Sequence, residues 1–227
     1  MRVAEIYRSR QGEGELTGVE SAFVRASGCN LRCRFCDTPY ASWTPEGNDL
    51  SVSEIVERVL ELEADHVVLT GGEPMLFAEL IPLCDRLHEH GLHITIETAG
   101  TLYLPVACDL MSISPKLSNS TPDVSAGAWV ERHEQTRMAH DVIKRLMDEY
   151  PYQLKFVIDE PTDCEEMECW LDQLADYERS RVWLMPQGRS IEELQRVEEW
   201  LEPYCRERGY RFCPRKQIEW YGLTRGT

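Results

Sequence analysis

The chain has 227 residues, 42% of them hydrophobic and 28% charged, which suits a folded protein with a sizeable core. Asp and Glu number 40 against 24 Lys and Arg, for a formal net charge of −16. A surface this acidic repels phosphate backbones and anionic lipid, so general nucleic-acid or membrane-surface binding is excluded as an expectation.

In chain order, Met1–Tyr7 contains no apolar leader-type run, and no stretch approaches the ~20 apolar residues of a membrane helix, which predicts a cytoplasmic protein. Segment 1–20 precedes the first predicted strand and carries Ser9-Arg10-Gln11-Gly12-Glu13-Gly14. Ser21–Arg25 reads as a strand running into a cysteine loop at 29–38. Ser51-Val52-Ser53-Glu54 has capping-box spacing, with Ile55, Val59 and Leu62 following at helical period. His66–Thr70 is an apolar strand stopped by Gly71-Gly72-Glu73-Pro74, and a helix over Phe77–Glu89 ends at Gly91. Further strands are predicted at His93–Glu97, Leu110–Ser114, Leu154–Ile158 and Val182–Met185, with helices from about Glu165 and Ile191. Lys116–Ala128, rich in Ser, Asn, Thr, Pro and Gly, reads as a mobile surface loop. Apolar strands alternating with amphipathic helices predict one α/β domain across 1–227, a parallel sheet covered by helices. No GxGxxG follows the first strand, so an open or partial barrel fits better than a dinucleotide fold.

The nine cysteines are an odd number and do not read as a disulfide framework. Cys29, Cys33 and Cys36 crowd together, while Cys84, Cys108, Cys164, Cys169, Cys205 and Cys213 are scattered and suggest no second cluster. Three thiolates on one loop can hold a corner of a metal centre. Structural zinc usually takes four ligands, and iron–sulfur clusters are generally held by four cysteines. A three-cysteine loop would leave one iron of a [4Fe–4S] cube open to bind a small molecule. A zinc knuckle completed by His or another Cys is the alternative. The six histidines (His66, His88, His90, His93, His133, His140) form no metal motif and read as ordinary.

The CxxxCxxC spacing resembles the signature of the radical S-adenosylmethionine (SAM) enzymes. That resemblance implies a partial TIM-type barrel, a [4Fe–4S] cluster on Cys29, Cys33 and Cys36, and SAM chelated to the open iron. Gly71-Gly72-Glu73-Pro74 resembles the GGEP motif of such enzymes. Glu97, Ser114, Lys116 and Gln187, each near the end of a predicted strand, resemble further SAM contacts, joined by Gly72, Glu73 and Asp37. Taken singly, each also reads as a turn or helix cap.

The QGEG at 11–14, Arg25 and Cys36-Asp37-Thr38 narrow the resemblance to the 7-carboxy-7-deazaguanine synthases. It implies conversion of 6-carboxy-5,6,7,8-tetrahydropterin to 7-carboxy-7-deazaguanine with loss of ammonia, in queuosine or deazapurine biosynthesis. It also implies Mg²⁺ on Thr38, a homodimer, and a flavodoxin- or ferredoxin-type electron donor. Substrate contacts would be Gln11, Gly12, Glu13, Arg25 and Thr70. A carboxylate such as Glu13 accepts the paired donors of a pterin edge, and a guanidinium fork suits the substrate carboxylate. The bland alternatives are a solvated acid at Glu13, a surface salt bridge at Arg25 and a turn cap at Thr38. Asp37 is the one candidate for a catalytic base. Gln217 stands where relatives of this kind carry a His, which removes a titrating group from that position. A glycyl-radical-enzyme activase shares CxxxCxxC and GGEP but has no need of QGEG, and a non-catalytic zinc module is the remaining rival.

Overall fold

A computed structural model describes residues 1–174 and 176–227. β1 (Arg2–Arg10) pairs antiparallel with β2 (Glu20–Ala26) and with the short β3 (Asn48–Asp49). From β2 the sheet continues in parallel through β4 (His66–Gly71), β5 (His93–Thr98), β6 (Leu110–Ile113), β7 (Tyr152–Ile158), β8 (Val182–Pro186) and β9 (Arg211–Phe212). The order is β3-β1-β2-β4-β5-β6-β7-β8-β9, and β3 and β9 do not pair among the described residues. The result is an open, partial barrel, as the sequence predicts.

Side chains alternate across a strand with period two, and here the two sets have different work. Ala22, Val24, Val67, Leu69, Ile94, Ile96, Met111, Ile113, Leu154 and Phe156 face outward into one apolar core. Five helices lie over that face, α2 (Val52–Leu60), α3 (Leu80–Glu89), α5 (His140–Glu149), α6 (Pro161–Asp172) and α7 (Ile191–Arg208), while α1 (Pro39–Ser42) and α8 (Lys216–Tyr221) border the cavity and α4 (Ala128–Arg137) packs by the cysteine loop. Each fully buried aliphatic side chain there contributes about 1.5–3 kcal/mol relative to exposure. The intervening residues, among them Phe23, Arg25, Thr70, Glu97, Ser112 and Lys155, face a cavity instead.

The expected capping box is present: the Ser51 hydroxyl accepts from Glu54 N, and the Glu54 carboxylate accepts from Ser51 N. Several elements differ from expectation. The helix predicted from Phe77 begins at Leu80, after a 3₁₀ turn at Pro74–Leu76, and the one predicted near Glu165 begins at Pro161. β1, β3, β9, α1, α4, α5 and α8 have no counterpart among the predicted elements.

Segment 116–128 is not a free loop. Leu117 and Ser120 are buried, and two 3₁₀ turns shape it, Ser118–Ser120 and Val124–Ala126. Asn119 Nδ2 donates to Asp163 Oδ2 at 2.9 Å and to Val157 O at 3.0 Å, and Ser118 N donates to Glu166. The polar composition that suggested mobility is consumed by side-chain hydrogen bonds to neighbouring elements.

Candidate active site

The carboxyl ends of the parallel strands open on a cavity of about 360 Å³. Gln11, Gly12, Glu13, Arg25, Cys29, Cys33, Cys36, Asp37, Thr38, Thr70, Gly72, Glu97, Ser114, Lys116 and Gln187 all line it. Glu73 does not. Residues some hundred and fifty positions apart in sequence therefore share one wall, because the strand ends that carry them are neighbours in the sheet.

The cysteine loop is pinned on three sides. Arg34 N donates to Ser120 O at 3.0 Å, Trp43 Nε1 to Cys33 O at 3.1 Å, and Arg32 N to His133 Nδ1 at 3.2 Å. His133 is completely buried, and its Nε2 lies 2.9 Å from the Ser120 hydroxyl, which itself donates to Leu117 O. That chain of bonds requires the neutral tautomer with Nε2–H donating. His133 is thus not an ordinary histidine; it ties the cysteine loop to α4 and to the 118–120 turn. Burial pushes the Cys29 thiol up to about 12 and the Cys33 thiol to about 11. Without a metal both are neutral at pH 7, so loading iron would release protons.

The donor chemistry fits a cubane cluster. Three thiols face the cavity, and no three His, Cys, Asp or Glu groups converge on one ion-sized point among the described residues. A cluster spreads its irons over a cube and needs no such convergence. Thr38 stands at the N-cap of α1 without a capping bond, and its hydroxyl faces the cavity in contact with Cys36 Sγ at 3.9 Å, where a hard cation could take the oxygen.

Gly71 and Gly72 are required by close approach. A Cβ on Gly72 would lie 2.1 Å from Gly28 O and 2.5 Å from Ala41 O, and Gly71 adopts φ +134°. The turn after β4 therefore packs directly on the start of the cysteine loop, where Glu73 N donates to Gly28 O at 2.8 Å. The Glu73 side chain points the other way. It is completely buried and accepts from Thr98 Oγ1 at 2.8 Å, Ala99 N at 2.9 Å and Met75 N at 3.1 Å. Its geometry is that of a brace between the turns after β4 and β5, rather than the expected SAM contact.

At the other end of the cavity, Gln11 Nε2 and Thr70 Oγ1 donate to the two oxygens of Glu97, at 3.2 and 2.8 Å. Arg25 is partly committed: Nε donates to Glu5 Oε1 at 2.6 Å and Nη2 to Tyr7 Oη at 2.7 Å. Its Nη1 has no hydrogen-bond partner among the described residues. Only part of the fork, rather than the whole of it, is open to a ligand carboxylate. Asp37 is salt-bridged to Arg215, so its carboxylate is already engaged. Lys116 Nζ donates to Ser114 O and Oγ at 2.6 and 2.7 Å.

Sequence reasoning missed Lys155 and Arg215. Lys155 donates to Glu13 Oε2 at 3.0 Å and Glu97 Oε1 at 3.2 Å, and its side chain is 4% exposed. Arg215, also buried, approaches Glu13 Oε1 at 3.5 Å and donates to Gly188 O at 2.7 Å. Gln217 Nε2 donates to Glu13 Oε1 at 2.7 Å. Burial opposes ionisation of Glu13, but the Lys155 and Arg215 cations and these hydrogen bonds prevail and hold its pKa at about 2. A lysine in the middle of an apolar strand, Leu154-Lys155-Phe156, was the available signal. The last residues, Gly222 to Thr227, close the rim, with Arg225 on Glu5 and Glu46.

The radical SAM superfamily model matches residues 23–115. A 7-carboxy-7-deazaguanine synthase of Rhodopirellula baltica is 46% identical over 227 residues, covering 99% of this chain and 88% of the relative. One from Halobacterium salinarum is 41% identical over 227 residues, covering 95% and 88%. Among solved structures, QueE from Escherichia coli aligns at a TM-score of 0.64 and 26% identity over 94% of this chain and 92% of that one. SuiB of Streptococcus suis, at 13% identity and a TM-score of 0.58, shares the fold alone. These matches do not favour the activase or the zinc module. Identity of this degree across nearly the whole length goes beyond a shared barrel, and the chain belongs to the 7-carboxy-7-deazaguanine synthase family of radical SAM enzymes.

Proposed function

We propose that the enzyme converts 6-carboxy-5,6,7,8-tetrahydropterin to 7-carboxy-7-deazaguanine with release of ammonia, a step of queuosine and deazapurine biosynthesis. One observation carries the reading: Gln11, Glu13, Arg25 and Thr70 line the same cavity as the three clustered cysteines. Cys29, Cys33 and Cys36 would hold the [4Fe–4S] cluster. SAM would lie along Gly72, Glu97, Ser114, Lys116 and Gln187, beside Asp37. When bound, cluster and SAM supply a carbon-centred radical able to take a hydrogen atom from the substrate.

The chain's own residues bind, orient and shield. Glu13, kept ionised, accepts the adjacent N–H donors of the pterin edge. Arg25 offers Nη1 to the substrate carboxylate while Glu5 and Tyr7 fix its plane. Thr38, whose hydroxyl contacts only Cys36 Sγ among the described residues, would take Mg²⁺ together with water and substrate oxygens. Phe23, stacked on Tyr7 at 5.2 Å, adds an apolar wall that keeps water from the reacting carbon.

Chain segment 1–227 forms a single radical SAM domain in this reading, with the substrate segment at 1–20 and the cluster loop at 29–38. The working form is a cytoplasmic homodimer that takes electrons from a small flavodoxin- or ferredoxin-type protein. Among the described residues no helix is long and apolar enough to cross a membrane.

Anaerobic reconstitution with iron and sulfide, followed by reduction and addition of SAM, Mg²⁺ and the tetrahydropterin, tests the reading by mass spectrometry. Product formation that disappears in Cys33→Ala and in Glu13→Ala supports it. SAM cleavage with the pterin left intact would overturn the substrate assignment.

A further inference from the structure

We infer that Lys155 is a positioning residue: its ammonium bridges Glu13 and Glu97, holds the Glu13 carboxylate in its charged form beside Glu97, and so joins the pterin end of the cavity to its SAM end. The inference rests on the reading of Glu13 as the pterin acceptor. It begins from a placement that strand burial alone disfavours. β7 turns Leu154, Phe156 and Ile158 outward into the core and Gln153, Lys155 and Val157 inward, so Lys155 sits in the cavity wall with its side chain only 4% exposed. A buried lysine is costly unless opposite charges surround it. Two carboxylates do so from different elements, Glu97 from β5 and Glu13 from the N-terminal segment.

The geometry makes the dependence mutual. Both carboxylates contact one nitrogen, so their facing oxygens lie within about 6 Å of each other at a largely buried site, Glu13 16% and Glu97 23% exposed, where two like charges repel. The other groups facing this pair do not replace the lysine. Arg215 reaches Glu13 from before α8, but it is shared with Asp37. Cys213, whose sulfur accepts from Gly14 N at 3.2 Å, is pushed up to about 12 by burial and stays neutral. Gln217 donates to Glu13 without charge, and Gln11 and Thr70 donate to Glu97 without charge. Lys116 lines the same cavity but spends its ammonium on Ser114.

β7 also holds the substrate segment by its backbone. Two residues before Lys155, Gln153 Oε1 accepts from Glu15 N at 2.9 Å, and its Nε2 donates to Ser112 Oγ at 2.9 Å. A Cβ on Gly14 would fall 2.4 Å from Gln153 Nε2. Gln153 therefore seats the loop, and Lys155 sets the charge of the acidic side chain on it that reads the pterin.

Lys155→Met, close in shape and without charge, is compared with Lys155→Arg and with Lys155→Met/Glu13→Gln. The first readout needs no substrate: infrared difference spectra at neutral pH should show a protonated-carboxyl C=O band in Lys155→Met that is absent from wild type, from Lys155→Arg and from the double variant. The second readout is binding of 6-carboxypterin, a non-reactive probe, followed by fluorescence between about pH 5 and 8. Wild-type affinity should be flat, and Lys155→Met should bind about tenfold or more weakly near neutrality and recover as pH rises. No carboxyl band in Lys155→Met, or a loss of binding equal at every pH, would overturn the inference and reduce Lys155 to packing. A wild type that does not bind the pterin would count against the substrate assignment alone, since the infrared result decides the role of Lys155 without it.

Discussion

Three donors converge on the buried Glu73 carboxylate, two of them backbone N–H groups. Glu73→Ala should lower stability by ~1–3 kcal/mol per the usual cost of unsatisfied buried donors, seen as a lower urea midpoint, and should weaken SAM binding only through the displaced turns. His133 gives a pH signature. Burial pushes its pKa from 6.5 down to about 4, so the neutral ring's contribution is complete above about pH 6.5 and is lost as pH falls towards 4. His133→Gln, which keeps an acceptor and a donor, should flatten the decline of thermal midpoint over that window while lowering the midpoint at neutral pH. Glu13 works with the opposite kind of group but in the same direction: its carboxylate is held below its ordinary range, so its contribution disappears as pH falls from about 4.5 towards 2. These roles were only partly legible in the sequence. The cysteines and QGEG announce themselves by spacing, whereas His133 and Lys155 act through partners that lie 101 and 142 positions away.

At the level of elements, the readable ones obey a period and the unreadable ones do not. β4 to β8 were visible because their outward residues are apolar, and α2 because Ser51 and Glu54 cap it; Ser51→Ala should cost ~1 kcal/mol in a denaturant titration. β1 was hidden because its inward positions, Glu5 and Tyr7, serve a polar cavity instead of a core. α4 was hidden because it is polar on nearly every face and buries only His133 and Arg137. The turn after β4 shows the reverse case, a motif whose structural meaning exceeds its chemical one. Gly72→Ala would force a methyl into Gly28 O and Ala41 O, so it should destabilise the fold by about 1–3 kcal/mol and reduce cluster occupancy, measured as iron per chain. That loss should persist when SAM is saturating, because the clash lies between two protein segments.

Over the whole molecule, a net charge of −16 predicts self-repulsion, and added salt should raise the thermal midpoint until the surface charges are screened. The largely buried Glu13–Lys155–Glu97 set, whose opposite charges already face one another, should contribute little to that rise. The rim of the cavity has a further consequence. Lys216 N donates to Gly12 O at 3.0 Å, Arg10 Nε to Tyr221 Oη at 3.1 Å, and Gln217 grips Glu13 from 204 residues away. On the ribosome, the segment that carries Gln11 and Glu13 emerges about 200 residues before the holders it meets at α8. The cysteine loop, also made early, finds most of its supports by α4. A growing chain thus becomes able to accept iron well before it can confine a substrate, and any translation that stops short of α8 would release a barrel with radical-forming equipment and an open mouth.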